Sequence, residues 1–268
     1  MIENEFDIPM KDGSAQAILY RPDDKKDYPG VLFLTDIFGI RPANQGVAQR
    51  LAAKGFAVLM PNVFYRHSRL PLLDFEFKMG EERSMKLMGA LFAAEPNDKM
   101  GPDGALYADF LLTQKGISDE KIGVVGYCFS GAMALRTAAQ IPEKIAAAAS
   151  FHGGRLVTED ADSPHLLLPK VRARLYFGHA VEDQSMTADN IKTLDAALAA
   201  WGTEQNENKN HAGGHFGLAG GKVPTRQYKS ETYQGALHGW TVPGRPVYNE
   251  PQAEIAFEKL TALLREAL

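Results

Sequence analysis

The chain has little cysteine: Cys128 stands alone among 268 residues. An internal disulfide is therefore excluded, and with it the stapled scaffolds of small secreted domains; a cytoplasmic location is expected. Long apolar runs are also missing, and none approaches the length needed to cross a bilayer. The first ten residues, MIENEFDIPM, lack the apolar centre of a secretory signal. Neither sign of charge dominates, with 29 Lys and Arg against 33 Asp and Glu, a formal net charge of −4. No basic run suggests a nucleic-acid surface. There is no repeat, no long low-complexity tract and no linker, so a single domain over residues 1–268 is expected.

What is present alternates. PGVLFLTD is an apolar run after a Pro-Gly turn, NQGVAQRLAAKG has helical composition and stops at Gly55, and FAVLMP is a second apolar run closed by Pro61. Strand, helix and strand in that order predict a mostly parallel sheet with right-handed crossovers and helices on both faces, an α/β fold. MKDGSAQAILYRP reads as a turn at Asp12-Gly13 and then an alternating strand. The rhythm breaks over residues 62–101, an excursion rich in aromatic, Met and Arg residues that is expected to lie over one end of the sheet. DGALYADFLLTQKG predicts a helix with Asp103 as its N-cap. TADNIKTLDAALAAWG predicts another, stopping at Gly202, and residues 206–222 read as a glycine-rich insertion.

The stretch VVGYCFSGAM carries the chemistry. A strand runs in from Ile122, a helix runs out from Phe129, and Gly126 and Ser130 sit two residues either side of Cys128. Small residues at those offsets let a strained apex expose a nucleophile at a helix N-terminus, which favours a thiolate. The rival register makes Ser130 the nucleophile, although it would already lie inside the helix. A buried, inert thiol is the other reading of Cys128.

A thiol nucleophile needs a base and an orienting acid, expected in the chain order nucleophile, acid, base. FGHAVEDQSM ends a strand and offers Asp183, with Glu182 as competitor; YQGALHGW offers His238. His67, His152, His165 and His179 precede the acid and break the order. His211 and His215 lie among glycines that argue against a helical metal pair, so no metal and no cofactor are expected. The developing oxyanion needs two N–H donors, predicted at Phe129 and at Ile37 in TDIFGI. Asp36 in that loop is a candidate for controlling the thiol, or for capping the next helix. Tyr127 beside the nucleophile and Trp240 beside the base are candidate substrate contacts in a largely apolar pocket.

Taken together, GYCFSG, TDIFGI, FGHAVEDQSM and YQGALHGW, in this order, resemble the dienelactone hydrolase family of α/β hydrolases. The resemblance implies an α/β-hydrolase fold, a Cys128–His238–Asp183 triad and oxyanion donors at Ile37 and Phe129. The family often has glutamate where this chain has Asp36, and usually glycine where it has Ser130. Its namesake enzyme binds a substrate carboxylate with arginines, for which Arg83 and Arg245 are candidate counterparts here, plain solvated arginines being the alternative reading of both.

Thiolates attack well and leave well, so the tetrahedral intermediate goes forward only when the substrate's leaving group is comparably good. Enol esters, enol lactones, aryl esters and thioesters meet that demand. The expected protein is a small-molecule ester or lactone hydrolase, monomeric or homodimeric, with no nucleic-acid or membrane partner. The alternatives are a redox-active or peroxide-sensing thiol, weakened by the lack of a resolving cysteine, and a non-catalytic binding protein on the same scaffold.

Overall fold

The computed structural model describes residues 1–268 except Lys25, Met79, Asp119 and 211–226, and the side chains of 203–210. In chain order the elements are β1 (Ile2–Met10), β2 (Gly13–Arg21), β3 (Gly30–Leu34), α1 (Pro42–Ala53), β4 (Ala57–Pro61), α2 (Glu82–Ala94) and α3 (Asn97–Leu112). They continue with β5 (Ile122–Tyr127), α4 (Ser130–Gln140), β6 (Ile145–Phe151), β7 (Arg174–His179), α5 (Ala188–Asn210), β8 (Tyr228–Thr232) and α6 (Glu250–Ala267).

The apolar runs β3, β4 and β5 are buried at every position, as strands covered on both faces must be. The sheet order is β1-β2-β4-β3-β5-β6-β7-β8. β1, β2 and β4 pair antiparallel, and the remaining pairs are parallel. Alternation along the strands splits the core. Leu32, Leu34 and Val124 pack with Tyr107, Met133, Leu194 and Leu198 from α3, α4 and α5 on one face. Val31, Phe33 and Val125 pack with Val47, Leu51, Phe257 and Leu260 from α1 and α6 on the other. This is the α/β-hydrolase architecture. The strand order reverses direction at β3 and β5, which opens a crevice at their carboxyl ends, where such sheets bind ligands.

Three expectations need correction. The edge strand β1 was not anticipated, although Ile2, Phe6, Ile8 and Met10 alternate with Glu3, Glu5, Asp7 and Pro9 in IENEFDIPM, the pattern of a half-buried strand. The excursion holds a full helix, α2, and α3 begins at Asn97 and runs through Pro102, so Asp103 is no N-cap but a buried side chain within the helix. The helix over TADNIKTLDAALAAWG does not stop at Gly202: its backbone continues to Asn210. That takes in the start of the 206–222 insertion, whose other residues lie outside the described ones, with His211 and His215.

The base of the excursion is pinned by charge. Arg66 donates to Asp12 (2.9 Å), Glu95 (2.6 Å) and Asp103 (2.7 Å). One guanidinium cannot neutralise two buried carboxylates, and Glu95 Oε1 has no hydrogen-bond partner. Burial, and then the charge of Asp103, raise the Glu95 pKa to about 8 against the opposing pull of Arg66. The folded state therefore binds this proton more tightly than the unfolded chain, and its contribution to stability is lost as pH rises from about 4.5 to about 8. Glu95→Gln should remove that loss. In urea unfolding, its stability relative to the parent should rise with pH across this window, reaching on the order of 2 kcal/mol at pH 8. A difference that does not change with pH would show that Glu95 stays ionised beside Arg66.

Candidate active site

Cys128 follows β5 directly, at the middle of the crevice. Its φ is +55°, the left-handed region that a non-glycine residue enters only under constraint. The constraint is visible in the neighbours. The Cys128 N–H donates to Phe151 O (3.1 Å) and its carbonyl accepts from Gly154 N–H (3.2 Å), so the end of β6 holds the turn. A Cβ at Gly126 would lie 2.0 Å from Ser130 O, and one at Gly131 would lie 2.6 Å from Gly153 Cα. The turn closes because neither residue has a side chain.

The serine of the rival register faces inward. Ser130 is fully buried, and its hydroxyl donates to Thr35 O at 2.5 Å, which ties the helix start to the end of β3. Cys128 is only partly covered.

His238 arrives on the loop after β8, with the following Gly239 at φ +95°. Its Nε2 lies 3.0 Å from Cys128 Sγ, and its Nδ1–H donates to Asp183 Oδ2 at 2.6 Å. Burial alone would push the imidazole pKa down. The electrostatic pull of Cys128, the hydrogen bonds to Asp183 and Cys128 and the charge of Asp183 outweigh burial and hold it at about 10. Asp183 sits in the loop after β7 with its side chain 4% exposed. Burial would raise its pKa, but the hydrogen bond and charge of His238, followed by two hydrogen bonds from Ser185, leave it below the ordinary carboxylate value. The competitor, Glu182, is exposed. Sequence reasoning missed Ser185, whose N–H and Oγ–H both donate to Asp183 Oδ1 (2.8 and 2.7 Å). The Asp-x-Ser spacing in VEDQSM was the available signal.

The loop after β3 carries Ile37. Asp36 does not reach the thiol: Arg41 grips its carboxylate in a fork (2.6 and 2.7 Å), and Phe38 N–H donates to it (3.0 Å). Nor does Asp36 cap α1, where Arg41 N–H donates to Asn44 Oδ1 at 2.9 Å. Asn44 also donates to Gly39 O at 2.8 Å. These bonds fix the loop, and among the described residues neither Ile37 N–H nor Phe129 N–H has an acceptor. Both are left available for an oxyanion.

The expected substrate contacts fare differently. Tyr127 is 4% exposed and points to the opposite face of the sheet from Cys128, against Phe33 and Phe151. Strand alternation dictates this, so Tyr127 is core. Trp240 is fully buried between His152 and Tyr233 and is not a pocket wall. Arg83 is exposed, paired with Asp74 and stacked on Phe75, on the lining of a groove of about 460 Å³ formed by the excursion. Arg245 is half-buried, its guanidinium 4.1 Å over the Phe38 ring, where burial lowers its pKa against the pull of Asp36 and Cys128. Phe64, fully buried, and Phe92, partly exposed, each lie 5.2 Å from the Phe129 ring.

The sequence model of the dienelactone hydrolase family matches residues 15–213. The chain belongs to the dienelactone hydrolase family. A Synechocystis sp. protein provisionally named carboxymethylenebutenolidase is 25% identical over 265 residues, 97% of this chain and 95% of its own. The carboxymethylenebutenolidase of Rhodococcus opacus is 31% identical over 121 residues, 44% of this chain and 41% of its own. In fold, the chain matches a provisionally assigned dienelactone hydrolase of Klebsiella pneumoniae, with a TM-score of 0.78 at 19% identity and 98% of both chains covered. Membership of the dienelactone hydrolase family makes this chain a carboxylic ester hydrolase. Among the described residues no group of acidic, His and Cys side chains could hold a metal ion, and no helix is long and apolar enough to cross a membrane.

Proposed function

We propose that the chain hydrolyses activated esters or lactones of the dienelactone type through a thioester on Cys128. The observation that carries this reading is the continuous contact from Cys128 Sγ to His238 Nε2 (3.0 Å) and from His238 Nδ1 to Asp183 (2.6 Å). Sulfur attacks the carbonyl carbon, and the C=O electron pair moves to oxygen, which takes the N–H groups of Ile37 and Phe129. Collapse breaks the bond to the leaving oxygen, which receives the proton of His238. Water then attacks the thioester, His238 takes its proton, and sulfur departs. A histidine that keeps its proton up to about pH 10 is suited to the first half as an acid. The lone cysteine favours a cytoplasmic setting, and the reading needs only one chain and a small-molecule substrate.

A panel of dienelactones, aryl esters, thioesters and alkyl esters tests the proposal. Substrates with acidic leaving groups should be turned over at least about 100-fold faster, in kcat/KM, than alkyl esters of equal size. The rate should fall as pH rises through about 10, where His238 loses the proton the leaving group needs. Equal rates on alkyl and aryl esters, or peroxide consumption without ester turnover, would count against it.

A further inference from the structure

His152 follows β6, next to the residue whose carbonyl takes the Cys128 N–H. It is 1% exposed and held at φ +41°, a second left-handed non-glycine residue beside the nucleophile. Its N–H donates to Gly178 O (2.7 Å) in β7, the strand that leads to Asp183. Its Nε2 lies 2.7 Å from Thr241 Oγ1, three residues beyond His238. Its ring meets the His238 ring edge-to-face at 5.2 Å and the Trp240 ring at 5.1 Å. A single side chain thus touches or adjoins the loops that carry all three members of the triad.

We infer that His152 is a positioning residue for His238, which anchors the His238 loop through Thr241 and presents an uncharged ring edge to the imidazole. The inference rests on the triad reading above. A fully buried imidazole is a cost that a plain apolar residue at this position would avoid, and here its Nε2 reaches Thr241. The charged and titratable groups that face His238 are Cys128, Asp183 and His152. Two of them are negative partners of an imidazolium; a second cation at 5.2 Å would oppose it. Burial and then the charge of His238 keep His152 from taking a proton, well below the ordinary histidine range. The imidazolium therefore has no competitor for Asp183 and sulfur.

His152→Phe keeps the ring and removes the link; Thr241→Val removes the same link from the other side, and Thr241→Ser preserves it. The experiment measures kcat and KM for an aryl ester against pH and, separately, thiolate absorbance at 240 nm without substrate. His152→Phe and Thr241→Val should each lower kcat about tenfold or more with KM within about twofold. Both should move the absorbance midpoint in the same direction, while Thr241→Ser restores both readouts. Unchanged kcat and midpoint in a folded Thr241→Val would overturn the inference, even if His152→Phe did not fold. Cys128→Ala, run alongside, separates the two claims: activity persisting there overturns the triad, whereas Cys128-dependent activity indifferent to the Thr241 and His152 variants overturns only this role.

Discussion

Cys128→Ala should lose aryl-ester hydrolysis by on the order of 10⁴-fold or more, with no loss of thermal stability. The argument is one of supply. The only other hydroxyl or thiol in the turn belongs to Ser130, and that hydroxyl is sealed against Thr35 O with no exposure. Iodoacetamide should have the same effect as the substitution, by alkylating the one sulfur in reach of His238. Cys128→Ser should recover little. Much of what holds the His238 proton to about pH 10 is its interaction with the sulfur beside it. A neutral hydroxyl removes that contribution, so the imidazole must start from its base form with a weaker nucleophile. Steady-state rates with Cys128→Ala, Cys128→Ser and Ser130→Ala decide the matter. Activity that survives Cys128→Ala and dies with Ser130→Ala would transfer the nucleophile to the serine.

Gly126→Ala should be the most damaging single methyl group in the chain. Its Cβ would stand 2.0 Å from Ser130 O and 2.5 Å from Ser130 C, both backbone atoms that cannot rotate away. Relief requires moving the start of α4, and with it Phe129 N–H, the Ser130–Thr35 bond and the turn at Cys128. A loss of about 3 kcal/mol or more in urea unfolding is expected, together with loss of thiol reactivity in whatever fraction remains folded. A comparison sharpens the test. Gly235→Ala, where φ is +73° and nothing lies within 4 Å of the added carbon, should cost about 1 kcal/mol. Similar losses at the two sites would mean the turn is softer than these distances say.

Much of the site was legible because its signals are local. A strand that ends in Gly-x-Cys-x-Ser-Gly admits few geometries, and the chain order of Cys128, Asp183 and His238 follows from successive strands of a parallel sheet. The buried runs of β3, β4 and β5 were legible for the same reason. What escaped is long-range. Nothing in TDIFGIRPAN says that Arg41 takes the Asp36 carboxylate, because a loop's internal pairing depends on how its ends are held. Tyr127 and Trp240 were misjudged because adjacency in sequence to a reactive residue is not adjacency in space: Tyr127, on a strand, points to the face opposite Cys128, and Trp240, on the turn after His238, is folded inward against His152 and Tyr233. The helix boundary at Asn97 was misplaced because Asp103 looks like a cap in isolation, and only Arg66, folded back from the excursion, explains a carboxylate in mid-helix.

The separation of Cys128 from His238 by 110 residues has a consequence for biosynthesis. A ribosome releases the nucleophilic turn, with its strand and helix, well before the base and its loop emerge. Until His238 emerges, the sulfur of Cys128 has no imidazole to partner it. Damage by oxidants in that interval would be sealed into the finished enzyme.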